Sequence, residues 1–229
     1  MGFFDSGVGG RTILNAFRAL CPEVETVYLA DRENCPYGNK PSAEIIRLSE
    51  NCVKRLLREG ATVIVVACNT ATAAAIDYLR ERYPAVPFVG LEPAVKPAAL
   101  KSKSGVVAVL ATEGTFNGRL YRQTKAHFAK NVTVLATVAD EFVQLVERHY
   151  DERAGCVRLP ATARRIVAKR IEPLLKAGAD KLVLGCTHFP HLKGVIEEIV
   201  AGRAEVIDPS AAVARQIRKV LSEHGKPNL

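Results

Sequence analysis

Two cysteines stand where apolar runs stop. In "VVACNTATAAA" the run ends at Cys68, followed by Asn69 and Thr70. In "LVLGCTHF" it ends at Cys186, followed by Thr187 and His188. A buried cysteine is most often a small inert apolar residue. Here each thiol closes a strand, precedes hydrogen-bonding groups and has a proton partner within prospect. His188 lies two positions after Cys186, and Asp5 ends a strand expected beside that of Cys68. Thiol chemistry runs through the thiolate, whose free pKa of about 8.5 falls near a cation or a helix N-terminus. Two such thiols suit a disulfide redox pair or acid and base work on opposite faces of one carbon. Nothing in the sequence brings them within bonding reach. Inversion at a carbon needs a group on each side, so opposed proton transfer is the better reading.

The segment "FFDSGVGG" adds Asp5 and Ser6 at a strand end, and Gly7, Gly9 and Gly10, which permit close backbone approach to a ligand. A dinucleotide fingerprint would need its third glycine where Thr12 stands. Asp31, after the second strand, resembles a ribose-binding acid, but Asp5 beside the glycines would repel a pyrophosphate. Nucleotide binding is not expected.

These groups need strands to present them. Short apolar runs read as buried strands: "GFF", "TVYLA", "TVIVVA", "VPFVGL", "GVVAVLA", "VTVLA", "DKLVLG" and "EVID". Between them, "AEIIRLSENCVKRLLREG", "ATAAAIDYLRERY", "DEFVQLVERHY" and "ATARRIVAKRIEPLLKAG" follow helical periodicity, and the first and last end in glycine. The alternation predicts an α/β protein with parallel sheets flanked by helices on both faces. Ligands in such sheets bind beyond the carboxyl ends of the strands. A weak repeat pairs "GFFDSGVGG" with "GVVAVLATEGT", and "TVIVVACNT" with "DKLVLGCTH". It predicts two pseudo-symmetric lobes facing one cleft, residues 1–92 plus 206–229 and residues 93–205. The final "PSAAVARQIRKVLSEHG" is expected to pack back on the first lobe.

The bulk composition narrows the function. The chain has 229 residues, with 48% hydrophobic and 24% charged, which is ordinary globular composition. No apolar run reaches the roughly 20 residues that span a bilayer, and no signal peptide is read at the start. Six cysteines without a C-x-x-C pair read as reduced thiols in a cytoplasmic protein. Cys186, His188 and His191 are too few for zinc, so no metal and no cofactor are expected. The net charge of +8 comes from scattered Lys and Arg with few aromatics. It reads as a basic surface that concentrates anionic substrates, with no nucleic-acid partner. Cys21, Cys35, Cys52 and Cys156 are read as structural, and His127, His149, His191 and His224 as exposed or packing residues.

The motifs "FFDSGVGG", "CPYG", "ACNTATA", "LATEGT" and "LGCTHFPHLK", in this order from Phe3 to Lys193, resemble those of bacterial glutamate racemases in the cofactor-independent aspartate/glutamate racemase superfamily. The resemblance implies two lobes with the site between them, and Cys68 and Cys186 as the catalytic thiols. It assigns Cys68 to the D-glutamate proton and Cys186 to the L-glutamate proton. It further implies that Asp5 assists Cys68, that His188 assists Cys186, and that Glu147 in "FVQLVE" is a further assisting acid. Asn69, Thr70, Thr112, Thr115 and Thr187 would hold the α-carboxylate, and Asp5 and Ser6 the ammonium. Pro36, Tyr37 and Gly38 belong to the loop whose backbone N–H groups would hold the side-chain carboxylate. A small-molecule substrate and a homodimer are implied as well.

The chain departs from the pattern in two places. Ala139, Asp140 and Glu141 replace the usual Cys-Pro-Leu, which makes Glu141 a rival to Glu147. "GLEPAVKPA" replaces the usual Glu-Pro-Gly form, leaving Glu92 as a cleft residue or an exposed helix-start acid. Only four residues precede Asp5, so a start trimmed relative to the family is expected. The expected function is interconversion of L- and D-glutamate for peptidoglycan. The rivals are a racemase of aspartate or another amino acid, and a non-catalytic binding protein on the same fold.

Overall fold

The computed structural model describes residues 1–224, so 225–229, the end of the expected first-lobe segment, lie outside the described residues. The strands in chain order are β1 (Gly2–Asp5), β2 (Val27–Ala30), β3 (Ile64–Val66), β4 (Phe88–Val89), β5 (Val106–Ala111), β6 (Thr133–Val138), β7 (Tyr150–Asp151), β8 (Cys156–Val157), β9 (Lys181–Leu184) and β10 (Glu205–Ile207). The helices are α1 (Arg11–Leu20), α2 (Ser42–Arg58), α3 (Asn69–Arg82), α4 (Val95–Lys101), α5 (Glu113–Phe116), α6 (Arg119–Phe128), α7 (Asp140–His149), α8 (Ala163–Lys176), α9 (Lys193–Val200) and α10 (Ser210–His224).

Every strand read from the apolar runs is present. They form two parallel sheets, ordered β2-β1-β3-β4 and β10-β9-β5-β6. Counted from its own first strand, each sheet runs second, first, third, fourth, so the sequence repeat is a repeat of topology. In such a sheet the crevice opens where the strand order reverses, between the first and third strands. The short antiparallel pair β7–β8 was not anticipated; two residues a strand is too little for a period to register.

Both faces of each sheet are covered, because alternate residues point to opposite sides. In β1, Phe3 packs with Ile13, Phe17 and Ile217 of α1 and α10, while Phe4 packs with Leu48, Leu56 and Leu79 of α2 and α3. Each such fully buried side chain contributes about 1.5–3 kcal/mol of transfer free energy. In the second sheet Leu184 faces α7, α8 and α9, while Val183 faces α4 and α6. The helices α2 and α8 stop where expected: Gly60 and Gly178, just beyond them, hold φ of 82° and 88°.

The chain leaves the first sheet after β4. It returns later than the expected boundary at 206, because Val206 pairs with Leu182 inside the second sheet. The return falls at Asp208, whose carboxylate accepts the Ser210 N–H at 2.9 Å and opens α10. Apolar α10 residues Ala214 and Ile217 then bury against the first lobe. No described helix is long and apolar enough to cross a membrane.

Candidate active site

The four inner strands deliver one polar group each to the crevice. Asp5 ends β1, Cys68 follows β3, Thr112 follows β5, and Cys186 follows β9 across Gly185. All four are buried. Cys68 caps α3, its sulfur accepting the Ala71 N–H at 3.4 Å and lying 3.8 Å from the Ser6 hydroxyl. A helix N-terminus favours a thiolate. Burial and the Asp5 charge outweigh it, and the Cys68 thiol is pushed well above its ordinary range. Asp5 accepts from Ser6 N at 2.6 Å, from the Thr187 hydroxyl at 3.0 Å and from Gly10 N. Burial still raises its carboxyl, against the His188 charge and these donors.

The second thiol heads a relay. Cys186 Sγ lies 3.7 Å from His188 Nδ1, and His188 Nε2 lies 2.7 Å from Glu147 Oε1. Glu147 Oε1 also accepts the Val8 N–H at 2.7 Å, and Arg32 Nε donates to Oε2 at 3.1 Å. Burial alone would push the His188 pKa down, but hydrogen bonds with Cys186, Cys35 and Glu147 hold it well above its ordinary value. Burial likewise works to raise Glu147, and His188, Val8 and Arg32 bring it below the usual carboxylate range. The relay is therefore a buried hydrogen-bonded chain from Cys186 through the His188 ring to Glu147, in which the neighbours of the ring favour its charged form.

The glycines of "FFDSGVGG" have a use the sequence did not reveal. A Cβ on Gly9 would stand 2.5 Å from His188 Nδ1, and one on Gly7 would stand 1.9 Å from Glu147 Oε1. The space they leave admits side chains of the opposite lobe, rather than only a ligand. Other groups also meet across the crevice. Thr70 lies 2.7 Å from Thr112, which lies 2.8 Å from Thr115, and Gly114 N donates to Gly38 O at 3.0 Å. Thr187 reaches Asp5 as given above. Asn69 is buried, and its Nδ2 has no partner among the described residues.

The remaining predicted positions divide. Gly38 abuts Thr112 and Asp140 at the crevice. The Tyr37 ring lies in the first-lobe core with its hydroxyl donated to Asp31 at 2.5 Å, so any ligand contact there falls to backbone, and Asp31 is already engaged. Pro36 lines a cavity of about 400 Å³ beside the relay. Glu141, the rival to Glu147, pairs with Arg170 and takes no part in the relay. Glu92 accepts from Thr124 at 2.9 Å on the second lobe.

One expectation needs correction. Cys35, read as structural, brings its thiol to the relay: donor atoms of Cys35, Glu147 and His188 lie within 4.8 Å of one another. A close set of soft and hard ligands therefore exists where chain spacing indicated none. The signal was missed because the three residues come from segments far apart in the chain. His191, expected to be exposed or packing, packs edge-on to Tyr150 at 5.8 Å, with its pKa lowered to about 4 by burial and the His188 charge.

A family model described as Asp/Glu/Hydantoin racemase matches residues 11–217. A protein named glutamate racemase from Ectopseudomonas mendocina is 47% identical over 227 residues, 98% of this chain and 82% of that protein. The crystal structure of Escherichia coli glutamate racemase in complex with L-glutamate and an activator is 31% identical, with TM-score 0.84 over 99% of this chain and 84% of that one. The glutamate racemase of Francisella tularensis in complex with D-glutamate is 27% identical, with TM-score 0.80 over 98% of this chain and 81% of that one. With two repeated sheets, a thiol at the end of each third strand and this likeness along almost its whole length, the chain belongs to the Asp/Glu/Hydantoin racemase family.

Proposed function

We infer that this protein interconverts L- and D-glutamate without a cofactor, by proton transfer between Cα and two thiols. The observation that carries the reading is that each thiol has its own titratable partner and stands on its own lobe: Cys68 beside Asp5, Cys186 beside His188. Substrate carbon would lie between them.

The chemistry follows from the groups. The Cα proton of an amino acid is weakly acidic, so the carbanionic transition state needs donors aimed at the α-carboxylate in a water-poor site. Asn69, Thr70, Thr112, Thr115 and Thr187 are the proposed donors, and the unpartnered Asn69 amide supports this. Asp5 and Ser6 would take the ammonium, and the backbone N–H groups of the Pro36–Tyr37–Gly38 loop the side-chain carboxylate. From L-glutamate, the Cys186 thiolate takes the Cα proton beside the His188 imidazolium, and the Cys68 thiol delivers its own proton to the opposite face. Burial and the Asp5 charge raise the Cys68 thiol, which is consistent with Cys68 serving as the acid in this direction. From D-glutamate the roles exchange. Glu147 would hold the His188 charge in place, and Glu141 is not proposed for that part.

The relatives named glutamate racemase support glutamate over aspartate. We further propose that the product supplies peptidoglycan synthesis, that the enzyme works in the cytoplasm, and that it acts as a homodimer. The test is incubation with L-glutamate, then L-aspartate, in deuterated water without pyridoxal phosphate or metal. Inversion of glutamate with deuterium at Cα is expected. Exchange on aspartate alone would move the substrate assignment, and exchange on neither would end the catalytic reading.

A further inference from the structure

We propose that Cys35, Glu147 and His188 form a binding site for a soft divalent cation, zinc in the first instance, and that filling it silences the Cys186 half of the site. The silencing, unlike the binding, rests on the function proposed above.

The donor set is a thiol, an imidazole and a carboxylate, the three side-chain types that zinc takes. Their ligand atoms lie within 4.8 Å of one another, with His188 and Glu147 already 2.7 Å apart. Donors around a tetrahedral zinc sit about 2.0–2.3 Å from the ion, hence some 3–4 Å from each other. That geometry requires His188 and Glu147 to part slightly from 2.7 Å and any pair near the 4.8 Å limit to close by about 1 Å. Three protein ligands leave a fourth position open to water. There is an entry path, since Cys35 and Glu147 line the same cavity of about 400 Å³ with Arg32, Pro36 and Val143.

Binding moves protons but no electrons. Cys35 gives its thiol proton to solvent and ligates as thiolate. The imidazole gives up one N–H proton so that a ring nitrogen can present its lone pair. Thiolate and carboxylate together neutralise the ion. The cost falls on the relay: Glu147 Oε1 and the His188 ring would turn to the ion, giving up their 2.7 Å contact with each other and the Oε1 contact with the Val8 N–H, so the ring beside Cys186 would no longer be held by Glu147. The ligands span the crevice, Cys35 from one lobe and Glu147 and His188 from the other, so the ion would also pin the lobes together.

The test uses the full reduced chain. Cadmium is titrated as the probe, and the thiolate-to-metal charge-transfer band is read in the ultraviolet for the native protein, Cys35→Ala, Cys35→Ser and Cys156→Ala, the last an exposed control. Deuterium exchange at the glutamate Cα is followed in parallel with added zinc. The band is expected in the native protein and Cys156→Ala, and lost in both Cys35 variants, the serine excluding an effect of lost volume. With each protein's exchange referred to its own metal-free rate, both Cys35 variants should need at least about 10-fold more zinc for half inhibition than the native protein. A band or a zinc sensitivity that survives removal of the Cys35 thiol overturns the proposal, as does metal binding that leaves exchange unimpaired. A chain that shows the Cys35-dependent band but moves no Cα proton sinks the functional reading and the silencing with it, while the binding stands.

Discussion

One oxygen of Glu147 serves two lobes: Oε1 lies 2.7 Å from the His188 ring nitrogen on its own lobe and accepts the Val8 N–H of the other at the same distance. Arg32, also from the first lobe, holds the second oxygen at 3.1 Å. The orientation of the His188 ring is thus set partly by the first lobe, and separation of the lobes would release it.

Glu147→Gln should therefore lower kcat for glutamate on the order of 10²-fold, because a neutral amide cannot offset the imidazolium. The loss in kcat/KM should be equal from either enantiomer, which have the same free energy. Steady-state kinetics in both directions check this. Glu141→Gln is the control: its partner Arg170 lies at the surface, where an ion pair contributes about 0–1 kcal/mol, and activity should stay near normal.

Gly9→Ala should damage the same relay from the other side. The added methyl would meet the buried His188 ring at 2.5 Å, so the ring or the Gly9 backbone must shift. Activity should collapse, while stability in urea falls by only about 1–3 kcal/mol, the usual range for an overpacked site. A Gly9→Ala enzyme with native turnover would show that His188 need not sit where the structure has it.

Much of this was legible in the chain. The strands, the doubled topology and the thiol at each third strand's end follow from local apolar periodicity and the residues just after it. Glu147 over Glu141 was legible only through the family resemblance: both lie on α7, six residues apart, and helical periodicity does not say which one faces the imidazole. Gly7 and Gly9 read as ligand clearance, because their neighbours, Glu147 and His188, lie more than a hundred residues away. Cys35 was missed for the same reason. Contacts across the crevice leave no period in the sequence, since each side sees only its own secondary structure.

Thr112→Val tests the hydroxyl cluster that joins Thr70 at 2.7 Å and Thr115 at 2.8 Å. If these hydroxyls take the α-carboxylate, loss of one charge-assisted hydrogen bond costs about 1.5–3 kcal/mol, a roughly 10- to 100-fold fall in kcat/KM for glutamate. A change confined to thermal stability would make the cluster a lobe fastener and remove it from the substrate site.

Asp180 gives a pH test of stability remote from the relay. It accepts from the Ser102 hydroxyl at 2.7 Å, Lys103 N at 2.5 Å and Ser104 N at 3.0 Å. Burial acts to raise its pKa, but these donors bring it down to about 2 from 3.8. A folded pKa below the unfolded one means stability that is fully present above about pH 4 and lost as pH falls through 3.8 toward 2. Asp180→Asn should thus be less stable than the native protein in urea at pH 7, with the gap closing as pH falls through that window. A gap that stays constant down to the acid limit would show that the loop does not depend on the carboxylate charge.

The two thiols can be separated by what each does alone. In Cys68→Ser the Cys186 side is intact, so L-glutamate should still lose its Cα proton and regain deuterium on the same face. Inversion should fall about 10³-fold, since a serine hydroxyl is too weak an acid to complete it. D-glutamate should not exchange, because its proton faces the missing thiol. Cys186→Ser should show the mirror result: exchange on D-glutamate only, and again no inversion. The two variants thus assign a face of the carbon to each sulfur, which neither activity loss nor a structure alone can do. Cys186→Ser that inverted glutamate at near the native rate would make one thiol sufficient, and the two-sided account would fail.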